Sequence, residues 1–157
     1  MGDMSFEEWQ LEKANGELAH KSSESESAFR QISDRLFESL VAGARAQGAE
    51  IIRGEEWVYR HLGPGKRSSN IGDVLLFKKE VSRSDVHEEL RHFWQRREKY
   101  LSDVKDAQEQ EYLLEIDAKK YLINNRQKLK IPRSETEETI KELEHYENLL
   151  KTYREGL

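Results

Sequence analysis

From residue 27 to about residue 47 the apolar positions Phe29, Ile32, Leu36, Phe37, Leu40 and Val41 fall three and four apart, which predicts an amphipathic helix ending at Gly48. The period then shortens. Ala49-Glu50-Ile51-Ile52-Arg53 and Glu56-Trp57-Val58-Tyr59-Arg60-His61-Leu62 are short, aromatic and β-branched, and Gly63-Pro64-Gly65 follows as a turn. After a polar loop, Gly72-Asp73-Val74-Leu75-Leu76-Phe77 reads as a buried strand. Two or three strands in this window predict a small antiparallel sheet, because no crossover helix fits between them. With Ser84 as N-cap the helical period returns in Val86, Leu90, Phe93 and Trp94. A further helix is predicted over residues 102–125, with Leu113, Leu114, Ala118, Tyr121 and Leu122 inward. Beyond Pro132, Ser134-Glu135-Thr136-Glu137 opens a last helix carrying Ile140, Leu143, Tyr146, Leu149, Leu150 and Tyr153. The order helix, sheet, helix, helix, helix is an α+β arrangement.

Residues 1–27 read as a polar arm. The run Ser22-Ser23-Glu24-Ser25-Glu26-Ser27 cannot bury area and separates a short leading helix, with Phe6, Trp9 and Leu11 as anchors, from a domain over residues 28–157. A chain of 157 residues supports one such core.

Hydrophobic and charged residues each make up 36% of the chain, a composition suited to amphipathic helices rather than to a sandwich. The 31 acidic and 26 basic side chains, net charge -5, are spread along the whole length, so no basic stripe is available for phosphates and nucleic acid is not expected as a partner. There is no cysteine, so a metal would have to be held by nitrogen and oxygen. No run of about 18 apolar residues and no apolar stretch of signal-peptide kind occurs. A soluble protein is expected, working in the bacterial cytoplasm or delivered into a target cell.

Chemistry concentrates at Glu88-Glu89-Leu90-Arg91-His92, the H-E-x-x-H pattern of zinc peptidases with glutamate in place of the first histidine. Four residues apart on a helix, Glu88 and His92 share a face and can share an ion, and Glu89 takes the place of the general base. Zinc bound by nitrogen and oxygen requires a third ligand and an open position. Glu115 is the best placed, since Ala118 and Leu122 at helical spacing face inward and an acidic group on that edge requires a counter-charge. Asp117 and Glu111 are weaker candidates. His87 would pair with Arg91, which binds no cation, so it is read as a supporting or surface residue. Trp57 and Tyr59 read first as core, Gly63-Pro64-Gly65-Lys66 as a turn, and His145 as a surface histidine. The competing reading of Glu88, Glu89, Arg91 and His92 is a solvated helix face.

The segments at residues 72–77 and 88–95, with Glu115-Ile116-Asp117-Ala118-Lys119-Lys120-Tyr121-Leu122 and Ile131-Pro132-Arg133-Ser134-Glu135-Thr136-Glu137, together resemble the zincin-like metallopeptidase toxin domains at the C-terminal ends of bacterial polymorphic toxins. The resemblance covers about residues 49–155. It implies a zincin-like fold, zinc bound by Glu88, His92 and Glu115, Glu89 as the group activating water, a protein or peptide substrate, and an immunity protein as partner. Two alternatives stand beside it: a non-enzymatic helical interaction protein of immunity or accessory type, and a zincin scaffold without catalysis.

Overall fold

The computed structural model describes residues 30–157, so the polar arm, Phe6, Trp9 and Phe29 lie outside the described residues. Helix α1, Asp34–Ala46, starts where Ser33 turns its hydroxyl back to accept the Leu36 N–H at 3.1 Å. It buries Leu36, Phe37, Leu40, Val41 and Ala44. The helix is shorter at its start than the apolar period predicts. Residues 30–33 are extended and Ile32 donates its N–H to Val81 O at 3.0 Å, so Ile32 reaches the core from a strand-like segment that the Ser33 cap cuts off from the helix.

The chain continues as β1 (Glu50–Arg53), α2 (Glu56–Leu62), β2 (Ser68–Ile71) and β3 (Val74–Phe77). This corrects the predicted antiparallel sheet in two ways. Residues 56–62 form a helix rather than a strand. Gly54, at φ +78, turns the chain off β1, and only Val58 of α2 is buried, as suits one helix face and not a pleat. The Tyr59 hydroxyl pins the helix by donating to Glu80 Oε1 at 2.6 Å. The sheet is consequently mixed, in the order β1-β3-β2. With α2 and β2 forming the crossover, β1 pairs parallel to β3, while β2 pairs antiparallel to it through the two-residue turn Gly72-Asp73. The edge strand β2, Ser68-Ser69-Asn70-Ile71, lacks the apolar alternation that marks a strand in sequence, and reads there as loop. The buried run Leu75-Leu76-Phe77 lies in the central strand as its composition predicts.

Helix α3, Arg83–Arg97, is capped two residues earlier than predicted. Ser82 accepts the Asp85 N–H at 3.0 Å while Asp85 accepts the Ser82 N–H at 2.9 Å, a reciprocal capping box. Glu135 adds a third acceptor by taking the Ser84 N–H at 3.0 Å. Val86, Leu90 and Phe93 enter the core shared with α1 and the sheet, where Phe37 and Phe77 meet edge to face with centroids 5.0 Å apart. Helix α4, Ala107–Asn124, begins at the Asp106 cap, and α5, Arg133–Glu155, begins behind Pro132. The two are antiparallel: the Tyr153 hydroxyl near the end of α5 bonds the Asp106 carboxylate at the start of α4 at 2.7 Å. Along α5, Leu150 is buried, but Ile140, the first of the apolar residues that mark this helix in the sequence, is exposed, because the inward positions of this first half are taken by Glu135, Thr136 and Thr139. The described residues are α+β, and no helix among them is long and apolar enough to cross a membrane.

Candidate metal centre

Helix α3 is buried well beyond its apolar stripe. His87, Glu89, Arg91 and Gln95 are all buried, and the side chain of His92 is only 9% exposed, which overturns the reading of this face as solvated. The reason is position: α3 packs against α1, α4 and β2 together. Its polar residues are thereby enclosed and must find partners.

They find them in pairs. Glu88 and His92, one turn apart, meet Glu115 from α4, and one donor atom from each lies within 4.8 Å of the others. His92 Nε2 is 3.3 Å from Glu115 Oε2 and 3.9 Å from Glu88 Oε2. Nε2 is buried and lies between the two carboxylates at ion-pair distance, without an aligned hydrogen bond. The opposite ring nitrogen is fixed. Gln95 donates its amide to Leu114 O at 2.9 Å and Asp117 Oδ2 at 2.7 Å, so its carbonyl oxygen accepts from His92 Nδ1 at 2.8 Å. Asp117 is in turn held by Arg91 through contacts of 3.0 and 3.3 Å. Gln95 thus keeps one proton on Nδ1, so a cation displacing the other from Nε2 would meet the orientation that metal-bound histidines take from their outer partners.

Glu89 leaves the other side of α3. Its two oxygens accept from Ser68 Oγ and Asn70 Nδ2, each at 2.8 Å, because alternate residues of β2 project toward the helix. Burial pushes its carboxyl up to about 7, against the lowering effect of the His92 charge and of those two donors. For His92, burial works downward, and the close Glu115 carboxylate with the charges of Glu89 and Glu88 overcomes it, raising the ring to about 9, so that without an ion the imidazole is held as a cation. Glu115 is held down at about 2: burial alone would raise it, but His92 and Lys119 outweigh burial.

Glu88, Glu89, His92 and Glu115 all line one cleft of about 430 Å³, closed on its far side by α5 with Glu142, His145 and Tyr146. The three predicted ligands therefore come together, and the predicted base lines the same cleft on the β2 side. Asp117 instead serves Arg91 and Gln95, and Glu111 is an exposed partner of Gln108. His87 is fully buried rather than at the surface, and its ring is lowered to about 3, first by burial and then by Arg83. Trp57, read as core, is 40% exposed, and Gly63 and Gly65 form turns at positive φ.

Lys119 was the residue that sequence reasoning missed. Its ammonium lies 2.8 Å from Glu88 Oε1 and 3.2 Å from Glu115 Oε1 with the side chain 4% exposed. The signal available was its place four residues after Glu115, where α4 sets both on one face. Ser68 and Asn70 were hidden in a segment that reads as loop. Comparisons with protein-family models, with curated proteins and with solved structures find no match for this chain.

Proposed function

We propose that the protein is a zinc-dependent, zincin-like hydrolase of peptide bonds, with Glu88, His92 and Glu115 as the ligand set and Glu89 as general base. The observation that carries this reading is His92: a buried Nε2 without an aligned hydrogen bond, its ring locked by Gln95, aimed between two carboxylates from different helices. Nitrogen and carboxylate oxygen donors suit zinc, and three of them leave a corner open. Zinc, when bound, supplies Lewis acidity toward a carbonyl and lowers the pKa of water.

The chain's own groups supply the rest. Glu89, with its carboxyl near 7, accepts a proton from the attacking water and returns it to the departing amine. Ser68 and Asn70 hold its carboxylate in position, so the base does not swing away with substrate bound. The cleft of about 430 Å³ accommodates a short stretch of a peptide or protein substrate. A role as an effector or toxin domain with an immunity partner rests on the resemblance in the sequence alone.

Metal analysis of protein purified without chelator tests the reading. One zinc per chain is expected, retained in Glu89→Gln with loss of peptide cleavage, and absent from the Glu88→Ala His92→Ala double variant. Equal, negligible zinc in both the unaltered protein and the double variant would sink it.

Lys119 favours a second reading. An ammonium already bonded to Glu88 and Glu115 balances buried carboxylates without an ion, as a helical interaction protein or a scaffold without catalysis would require. Partner capture that survives chelation, together with full function of Glu89→Gln, would favour it.

A further inference from the structure

Each of the two carboxylates is divided between two partners. Glu88 turns Oε1 to Lys119 at 2.8 Å and Oε2 toward His92 at 3.9 Å, and Glu115 turns Oε1 to Lys119 at 3.2 Å and Oε2 toward His92 at 3.3 Å. Lys119 cannot easily leave this position. Its side chain is 4% exposed, its ammonium lies 5.4 Å from the centre of the Tyr146 ring, and Glu142 stands 3.9 Å away on the outer side. We infer that Lys119 is a selectivity-determining positioning residue, which occupies one oxygen of each ligand carboxylate and so restricts the site to cations of low coordination number. This rests on the zinc reading above and adds to it the chemistry of exclusion.

Four-coordinate zinc is satisfied by two oxygens, one nitrogen and an open corner. Calcium takes six to eight oxygens and gains from carboxylates that bind through both. With Oε1 of Glu88 and of Glu115 engaged by an ammonium, each carboxylate offers a single oxygen, and the donor set falls well short of what calcium requires. The same ammonium contributes one positive charge beside two carboxylates. The net charge around the ion then equals that of a site with one carboxylate and two neutral imidazoles, which compensates for glutamate standing where the commoner pattern has its first histidine.

The test uses the full chain, unaltered and as Lys119→Met, Lys119→Gln and Lys119→Arg, with folding checked by circular dichroism. Cobalt is the spectroscopic probe and calcium the competitor. The unaltered protein and Lys119→Arg are expected to show the intense visible band of four-coordinate cobalt, unmoved by calcium. Lys119→Met and Lys119→Gln are expected to lose most of that intensity as the carboxylates bind through both oxygens, and to gain calcium affinity on the order of tenfold or more. Folded Lys119→Met and Lys119→Gln with the original band and continued exclusion of calcium would overturn the inference while leaving the zinc reading intact. X-ray absorption on the unaltered zinc protein provides a check that needs no variant: more than four ligand atoms, with carboxylates bound through both oxygens, also overturns it. An unaltered protein that takes up neither zinc nor cobalt removes the zinc reading itself, and this inference with it.

Discussion

Asn70 donates from the edge strand to Glu89 Oε1 at 2.8 Å, so the proposed base is anchored to the sheet although it belongs to the helix. Ser68, two residues earlier on the same strand face, bonds the other oxygen at the same distance. Replacing Asn70 with leucine strips one donor from a buried carboxylate. The expected loss is about 1–3 kcal/mol of stability at neutral pH, read from chemical denaturation. Zinc content should be unchanged, because no ligand is touched.

Gln95 connects the candidate ligand His92 to Asp117 and Leu114. In Gln95→Leu the imidazole loses the acceptor that fixes its proton on Nδ1. Zinc affinity should fall by about 10- to 100-fold in competition with a chromogenic chelator, while the fold is retained.

Arg91 lies against Asp117 in a two-point contact, with its guanidinium 4.0 Å from the Trp94 ring centre and 4.3 Å from that of Tyr121. Removing the acid in Asp117→Ala leaves a buried cation without its carboxylate. A cost of about 3–5 kcal/mol is expected from denaturant titration, the largest single effect among the substitutions considered for this region.

Glu135 ties the start of α5 to Arg30 and to the start of α3, accepting the Arg30 N–H at 3.1 Å and the Ser84 N–H at 3.0 Å. Burial raises its carboxyl to about 7, more than the two N–H bonds lower it. Because the folded value lies above the unfolded one, the folded state binds the extra proton between about 4.5 and 7. The associated stability is fully present below 4.5 and is lost as pH rises through 7. Stability curves of the unaltered protein and Glu135→Gln, measured at pH 4 and pH 8, should therefore differ in slope, with the unaltered protein losing more on going to pH 8.

Zinc at about 100 times its dissociation constant should stabilise the protein by about 2.7 kcal/mol, and chelation should reverse the rise in melting temperature. The Glu88→Ala His92→Ala variant should show no response.

The meeting of Glu88, His92 and Glu115 was legible in the sequence because each part of it follows from the phase of one helix. Glu88 and His92 are linked by helical spacing alone, and Glu115 by the inward phase of its own helix. What it did not carry depends on partners far along the chain. Residues 56–62 have strand composition, yet Gly54 and the Tyr59 contact to Glu80 turn them into a helix, and the sheet becomes mixed as a result. Ser68 and Asn70 look like loop until β3 gives them a partner. Lys119 reads as one lysine among many in a charged helix, since neither Glu88 nor the burial of that face is visible from α4 itself.

The cleft draws its walls from four elements, and the last of them, α5, begins only after residue 132. Any version of the chain stopped before that point would carry Glu88, His92, Glu115 and Lys119 yet leave them open to water, their charges screened and their geometry loose. Packing of the final helix is thus what gathers this group of charged side chains into a walled cleft.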